Sequence, residues 1–100
     1  MFEKGQKAGT IRFSIKAGGD VQRVDVAGEF SSWQPLPMKK HKDGCYRAVV
    51  SGCSGKSCQY KFLVDGKWVT DPDNKIWIMN SYGTLNSVAD LASLATSNKR

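Results

Sequence analysis

Apolar and polar positions alternate along most of this chain with a period of two, the spacing at which successive side chains of a strand point to opposite faces. Thr10 to Ala17, TIRFSIKA, sets Ile11, Phe13 and Ile15 against Arg12, Ser14 and Lys16. Gly18-Gly19-Asp20 is a turn. Val21 to Phe30 then puts Val24, Val26, Gly28 and Phe30 on one side and Arg23, Asp25 and Glu29 on the other. Ser31 to Met38, with two prolines, reads as a loop carrying Trp33. Asp43-Gly44 leads into a strand over Cys45 to Val50, and Ser51 to Gly55 turns the chain again. Asp71 to Thr84 has no clear period and is expected to be irregular. Leu85 to Leu91 reads as a final strand. Short strands separated by turn chemistry predict an all-β sandwich or barrel.

The stretch Gln59 to Trp68, QYKFLVDGKW, is the most specific of these signals. Asp65-Gly66 between two alternating segments predicts a two-residue hairpin. Its register then pairs Val64 with Lys67, Leu63 with Trp68, Phe62 with Val69 and Lys61 with Thr70. Directly paired residues share a face. Tyr60, Phe62 and Val69 therefore form a face fit for burial, and Lys61, Leu63 and Trp68 form an opposite, wetter one suited to binding.

Composition narrows the function. One hundred residues suffice for a single core. The organisation expected is an N-terminal tail over 1–9, one β-sandwich over 10–91 and a C-terminal tail over 92–100. No apolar run reaches the length of a membrane helix, and MFEKGQKAGT does not read as a secretory signal. Three cysteines, an odd number, argue against a fully paired disulfide framework and for a reducing compartment.

The net charge of +6 raises nucleic-acid binding, but its one cluster, Lys39, Lys40, His41 and Lys42, reads as a solvated strand end or turn. His41 is the single histidine and has no nucleophile beside it. Asp65, Asp71 and Asp73 each have a turn role, and no Gly-rich phosphate loop is present. The reading is non-enzymatic, with no catalytic residue and no cofactor. His41, Cys45, Cys53 and Cys58 are ligand types for zinc, but their spacing lacks a Cys-x-x-Cys knuckle, so no metal site is assigned.

The aromatics carry the functional signal. Trp33, Trp68, Trp77 and Tyr82 all lie off the alternating apolar faces. Flat aromatic surfaces edged by Lys61, Thr84 and Asn86 suit a ligand with an apolar face and a hydroxylated rim, as a glucose ring has. Nucleotide bases also stack on aromatics, which leaves a single-stranded nucleic acid as a weaker alternative.

Gly28-Glu29-Phe30-Ser31-Ser32-Trp33, then QYKFLVDGKW, then Asp71-Pro72, then Gly83-Thr84-Leu85-Asn86 occur in this order. Over about residues 10 to 91 the chain resembles the glycogen-binding domain of the β subunits of AMP-activated protein kinase, within carbohydrate-binding module family 48. That resemblance implies an immunoglobulin-like (early-set) β-sandwich that binds α-1,4-linked glucan such as glycogen, starch or cyclodextrin. It implies stacking on Trp33 and Trp68, hydrogen bonds from Lys61 and Asn86 with Thr84 beside them, and a contact from Tyr82 where the kinase subunits often have leucine. Trp77, in a loop one residue longer, departs from the family pattern. Kinase or glucan-metabolising enzyme subunits are the implied protein partners, in the cytoplasm or, alternatively, the plastid stroma, with no membrane involved. The alternative function is a protein-interaction module whose glucan site has decayed.

Overall fold

A computed structural model describes residues 1–7, 9–52 and 57–90. Two antiparallel sheets pack as a sandwich, the architecture expected. One sheet has the order β1 (Phe2–Lys4), β2 (Thr10–Lys16), β6 (Cys45–Ser51) and β5 (Lys39–Lys40). The other runs β4 (Leu36–Pro37), β3 (Val24–Gly28), β7 (Ser57–Val64), β10 (Leu85–Asp90) and β9 (Trp77–Met79), with β8 (Lys67–Val69) also paired to β7. The helical content of the described residues is one 3-10 turn, Glu29–Ser31.

Period-two alternation works as read from the sequence. Ile11, Phe13 and Ile15 of β2 are buried, and their partners Val50, Ala48 and Tyr46 on β6 share that face. From the facing sheet come Val24, Val26, Tyr60, Phe62 and Ala89. Phe13 lies at the centre, with its ring centroid 4.5 Å from that of Tyr60 and 5.3 Å from that of Phe30. Each large apolar side chain so buried contributes about 1.5–3 kcal/mol.

Polar groups at one end of the core are satisfied locally. The buried Asp71 carboxylate accepts from the Tyr60 hydroxyl at 2.6 Å and from the Asp73 amide at 2.9 Å. Asn74 donates to the Tyr60 hydroxyl and to the Val88 carbonyl, while Ser87 accepts the Asp71 amide. This network ties the segment after β8 to β7 and β10. Burial pushes the Tyr60 hydroxyl well above its ordinary pKa.

The outer face of the four-stranded sheet is basic. Lys39, Arg47 and Ser14 lie on one rung across β5, β6 and β2, and Arg12 and Lys16 alternate with the buried isoleucines of β2. Arg12 pairs with Glu3 at 2.9 Å and Arg47 with Asp43 at 2.7 Å, and Lys16 and Lys39 stay exposed.

Several sequence expectations change. Residues 2–4, assigned to a tail, form β1, because Phe2 pairs with Phe13 and continues the buried row. The strand read over Val21 to Phe30 is regular only over Val24–Gly28, and Asp25 is buried despite its place among the polar positions, with Arg23 on its carboxylate at 3.1 Å. Trp77, placed in an irregular loop, lies on β9. Cys45 and Cys58 sit on different sheets, and Cys58 is buried. Cys53, the turn it belongs to, Leu91 and the tail over 92–100 lie outside the described residues.

Candidate functional site

The Asp65-Gly66 hairpin forms in the register that the sequence predicts: Val64 pairs with Lys67, Leu63 with Trp68 and Phe62 with Val69. Both turn residues have positive φ, 47° for Asp65 and 84° for Gly66, as a two-residue turn matched to strand twist requires. The Asp65 carboxylate reaches across to accept the Gln22 and Arg23 amides, so the turn is fastened to the residues that lead into β3.

The pairing stops one residue earlier than expected, since β8 ends at Val69 and Thr70 makes no rung with Lys61. β7 explains this. On one edge it pairs with β3 without a break from Tyr60 to Val64. Its other edge is shared end to end, by β10 along Ser57 to Tyr60 and by β8 along Phe62 to Val64. Lys61 falls in the gap between them. A groove opens there on the outer face of the sheet.

That groove, of about 730 Å³, is lined by Trp33, Lys61, Trp68, Tyr82, Thr84 and Asn86, the six residues singled out from sequence. They arrive from three separate places: the loop after the 3-10 turn, the β7–β8 hairpin, and the β9–β10 turn with the start of β10. Trp68 and Trp33 remain 49% and 36% exposed, so each offers an open ring surface. Tyr82 projects from the rim at 91% exposure. Lys61 is only 9% exposed, a departure from the wet face expected of it. Its ammonium donates to Thr84 Oγ1 at 3.3 Å and has no ion-pair partner among the described residues.

Trp33 is held by an unusual backbone. Ser32 and Trp33 both take left-handed conformations, with φ of 52° and 63°. Such a pair persists only where surrounding bonds impose it. The Trp33 amide donates to the Gly28 carbonyl at 2.9 Å, the Gln34 amide to Ser31 at 3.0 Å, and the Ser31 hydroxyl to Gln34 at 2.9 Å. Gly28 also brings the strands together: a Cβ there would lie 2.5 Å from the Gln59 carbonyl oxygen and 2.6 Å from the Phe30 ring.

Glu29, Gln59, Met79, Asn80 and Ser81 also line the groove, and sequence reasoning passed them over. A signal existed for Asn80. Asn80-Ser81-Tyr82-Gly83 carries the asparagine and glycine that a type I turn favours at its first and last positions. The Gly83 amide donates to the Asn80 carbonyl at 3.1 Å, and Gly83 has φ 82°, which makes a three-residue hairpin loop between β9 and β10. The Asn80 side chain accepts the Tyr82 and Thr84 amides and donates to Thr84 Oγ1 and Asn86 Oδ1. Asn86 in turn donates to Gln59 Oε1 at 3.0 Å, and the Gln59 main-chain N–H donates to the Glu29 carboxylate at 2.7 Å.

Trp77 does not line the groove. It shares a rung with Ser87, which pairs with Tyr60, so it belongs to the opposite sheet face from Asn86. Its indole N–H is bound to the Asn74 carbonyl at 3.0 Å. Among the described residues no three His, Cys, Asp or Glu side chains cluster as a metal site would need.

Rings open on one side and a polar floor between them can grip a ligand through an apolar face and a hydrogen-bonding edge together. Comparison with known proteins points the same way. Residues 10–96 match the family model described as the glycogen recognition site of AMP-activated protein kinase. The 5'-AMP-activated protein kinase subunit beta-1 of Sus scrofa is 33% identical over 70 residues, covering 70% of this chain and 55% of that protein. The Homo sapiens subunit beta-1 shows the same identity over 70 residues, 25% of its length. The Mus musculus subunit beta-2 is 35% identical over 69 residues, 67% of this chain and 24% of that protein. This chain thus spans about half of the first of these relatives and about a quarter of the others. A crystal structure of a protein described as an alpha amylase from Salmonella typhimurium matches with a TM-score of 0.66 at 24% identity, over 87% of this chain and 14% of that one, a likeness of fold.

Proposed function

Because the chain belongs to the family of glycogen recognition sites of AMP-activated protein kinase, we propose that it is a non-catalytic module binding α-1,4-linked glucan in the groove at the β7 gap. The carrying observation is the convergence of Trp33, Trp68, Lys61, Thr84, Asn86 and Tyr82, from three separated segments, on one groove. In this reading the two indoles stack on glucose rings. Lys61 and the amides of the floor bond the hydroxyls, and Tyr82 closes the rim. Affinity is on the order of micromolar to millimolar, since two or three stacked rings and few polar contacts supply it. The role is to bring a kinase or a glucan-metabolising enzyme to its polymer.

Retention on glycogen or β-cyclodextrin tests this. Trp33→Ala and Trp68→Ala should each cost about 2 kcal/mol of binding, roughly thirtyfold. Both rings are substantially exposed, so unfolding free energies should stay within about 0.5 kcal/mol of the parent protein. Unchanged retention in both variants would refute the assignment.

One observation favours the interaction-module alternative. Ile76, Trp77, Ile78 and Met79 at the sheet edge are 50%, 54%, 47% and 68% exposed, an apolar run of the kind that marks protein contacts. In that reading maltoheptaose leaves the NMR spectrum of the groove residues unmoved.

A further inference from the structure

The hydrogen bonds under the groove have a single direction, and one side chain sets it. The Tyr82 and Thr84 amides, at 2.9 and 3.1 Å from the Asn80 side-chain tip, can only donate, so the atom facing them is the carbonyl oxygen. Asn80 Nδ2 is therefore turned the other way, to Thr84 Oγ1 at 2.7 Å and Asn86 Oδ1 at 3.0 Å. The polarity of Asn86 follows from that: with its oxygen occupied, it donates through Nδ2 to Gln59 Oε1 at 3.0 Å. Gln59 is left with its side-chain Nε2 hydrogens unspent, with no acceptor for them among the described residues.

Thr84 reaches the same condition by another route. Its Oγ1 accepts from both Asn80 and Lys61, which uses both lone pairs and leaves its own proton to donate outward. Lys61 has three ammonium hydrogens and, among the described residues, one bonded partner, Thr84. At Lys61, Thr84 and Gln59 the floor accordingly presents donors, while the Glu29 carboxylate, which also lines the groove, can only accept and already takes the Gln59 main-chain amide.

We propose that Asn80 is a positioning residue: by fixing the polarity of the Asn80–Asn86–Gln59 chain and of Thr84, it makes the part of the floor formed by Lys61, Thr84 and Gln59 a donor surface that selects acceptor lone pairs on the bound sugar. This rests on the glucan reading and adds to it the kind of group recognised. Fluorine in place of a contacted hydroxyl keeps an acceptor and removes a donor, whereas hydrogen removes both. Asn80→Asp tests the direction itself. Its carboxylate still accepts the Tyr82 and Thr84 amides, but its second oxygen now takes the Thr84 proton and the Asn86 amide hydrogens. Asn86 and Gln59 then rotate in turn, and Gln59 shows an oxygen to the groove.

The test titrates the protein, its Asn80→Asp and its Asn80→Ala variants with maltoheptaose and with the deoxy and deoxyfluoro analogues at each hydroxyl. In the parent protein, the deoxyfluoro analogue at a contacted position should bind within about threefold of maltoheptaose, and the deoxy analogue more than about tenfold more weakly. Asn80→Asp should keep the Tyr82 and Thr84 amide shifts close to their parent positions, which shows the turn intact. It should nevertheless weaken maltoheptaose about tenfold and reduce the deoxyfluoro analogue to the level of the deoxy one. Asn80→Ala should weaken binding while moving those amide shifts. The proposal is overturned if the two analogues bind the parent protein equally, if Asn80→Asp keeps the parent's fluorine tolerance, or if Asn80→Ala binds as the parent does. Failure of the parent protein to bind maltoheptaose at all instead removes the glucan reading beneath it.

Discussion

Gly28 is where stability and binding are most closely joined, and Gly28→Ala measures the join. Its backbone is extended, with φ −177°, so alanine meets no conformational barrier there. Packing is the obstacle. A Cβ would sit 2.5 Å from the Gln59 carbonyl oxygen, 2.6 Å from Phe30 Cε2 and 3.0 Å from Tyr60 Cβ. The Phe30 ring can turn aside, but the Gln59 oxygen is main chain on the neighbouring strand, so β3 and β7 must part by at least half an ångström. Overpacking of this kind costs about 1–3 kcal/mol, and alanine returns about 0.4–1 kcal/mol by restricting the unfolded chain. The difference is a net loss of up to about 2.6 kcal/mol, about 1.3 kcal/mol at mid-range. Urea unfolding should show the midpoint falling at unchanged slope. Glycogen retention should fall as well, because the Gly28 carbonyl accepts the Trp33 amide and Gln59 lies beneath the groove. Gly19→Ala is the control: nothing lies within 4 Å of a Cβ there, and its φ is not positive. If Gly28→Ala is as stable as Gly19→Ala, or more so, the strands are not in the contact described and the reasoning fails.

Three further outcomes are expected. Ser32→Gly relieves a left-handed residue of about 1 kcal/mol of strain against a similar loss of unfolded-chain restriction. Denaturant stability should therefore change by less than about 0.5 kcal/mol while glycogen affinity falls, as Trp33 becomes less firmly held. The Asp43 carboxyl, bonded by Arg47 and by the Cys45 amide, is lowered from 3.8 to about 2, so its folding contribution is present above its ordinary value and is lost as pH falls through about 2. NMR titration of its carboxyl should show this midpoint, and Arg47→Ala should raise it. Tyr60, raised mainly by burial, contributes stability below the ordinary tyrosine value that is lost as pH rises above it. Unfolding monitored above pH of about 10 should steepen, and less so in Tyr60→Phe.

What could be read in advance depended on how local its cause was. The β7–β8 register was legible because two adjacent residues with positive φ determine it. Lys61 and Trp68 inherited their common face from that register. The burial of Lys61 was not legible, since it arises where β8 and β10 divide one edge of β7, a matter of tertiary pairing. β9 was missed for a related reason: Trp77, Ile78 and Met79 are all exposed, so no alternation marks the strand, and its pairing with Leu85 to Ser87 is what makes it one. Trp33, Thr84 and Asn86 were located through motif resemblance, while Asn80, which orients two of them, was visible only as turn chemistry inside a stretch read as irregular. β1 was hidden by brevity, three residues of which two, Glu3 and Lys4, are charged.

The placement of the groove on the six-stranded sheet has a consequence for anything docked there. Bound through that sheet, the module turns its other sheet, with Lys16, Lys39 and Arg47 on the outward rungs, away from the polymer. An uncharged particle coated with such modules would acquire a cationic exterior, repelling further copies at low ionic strength and drawing acidic proteins toward it.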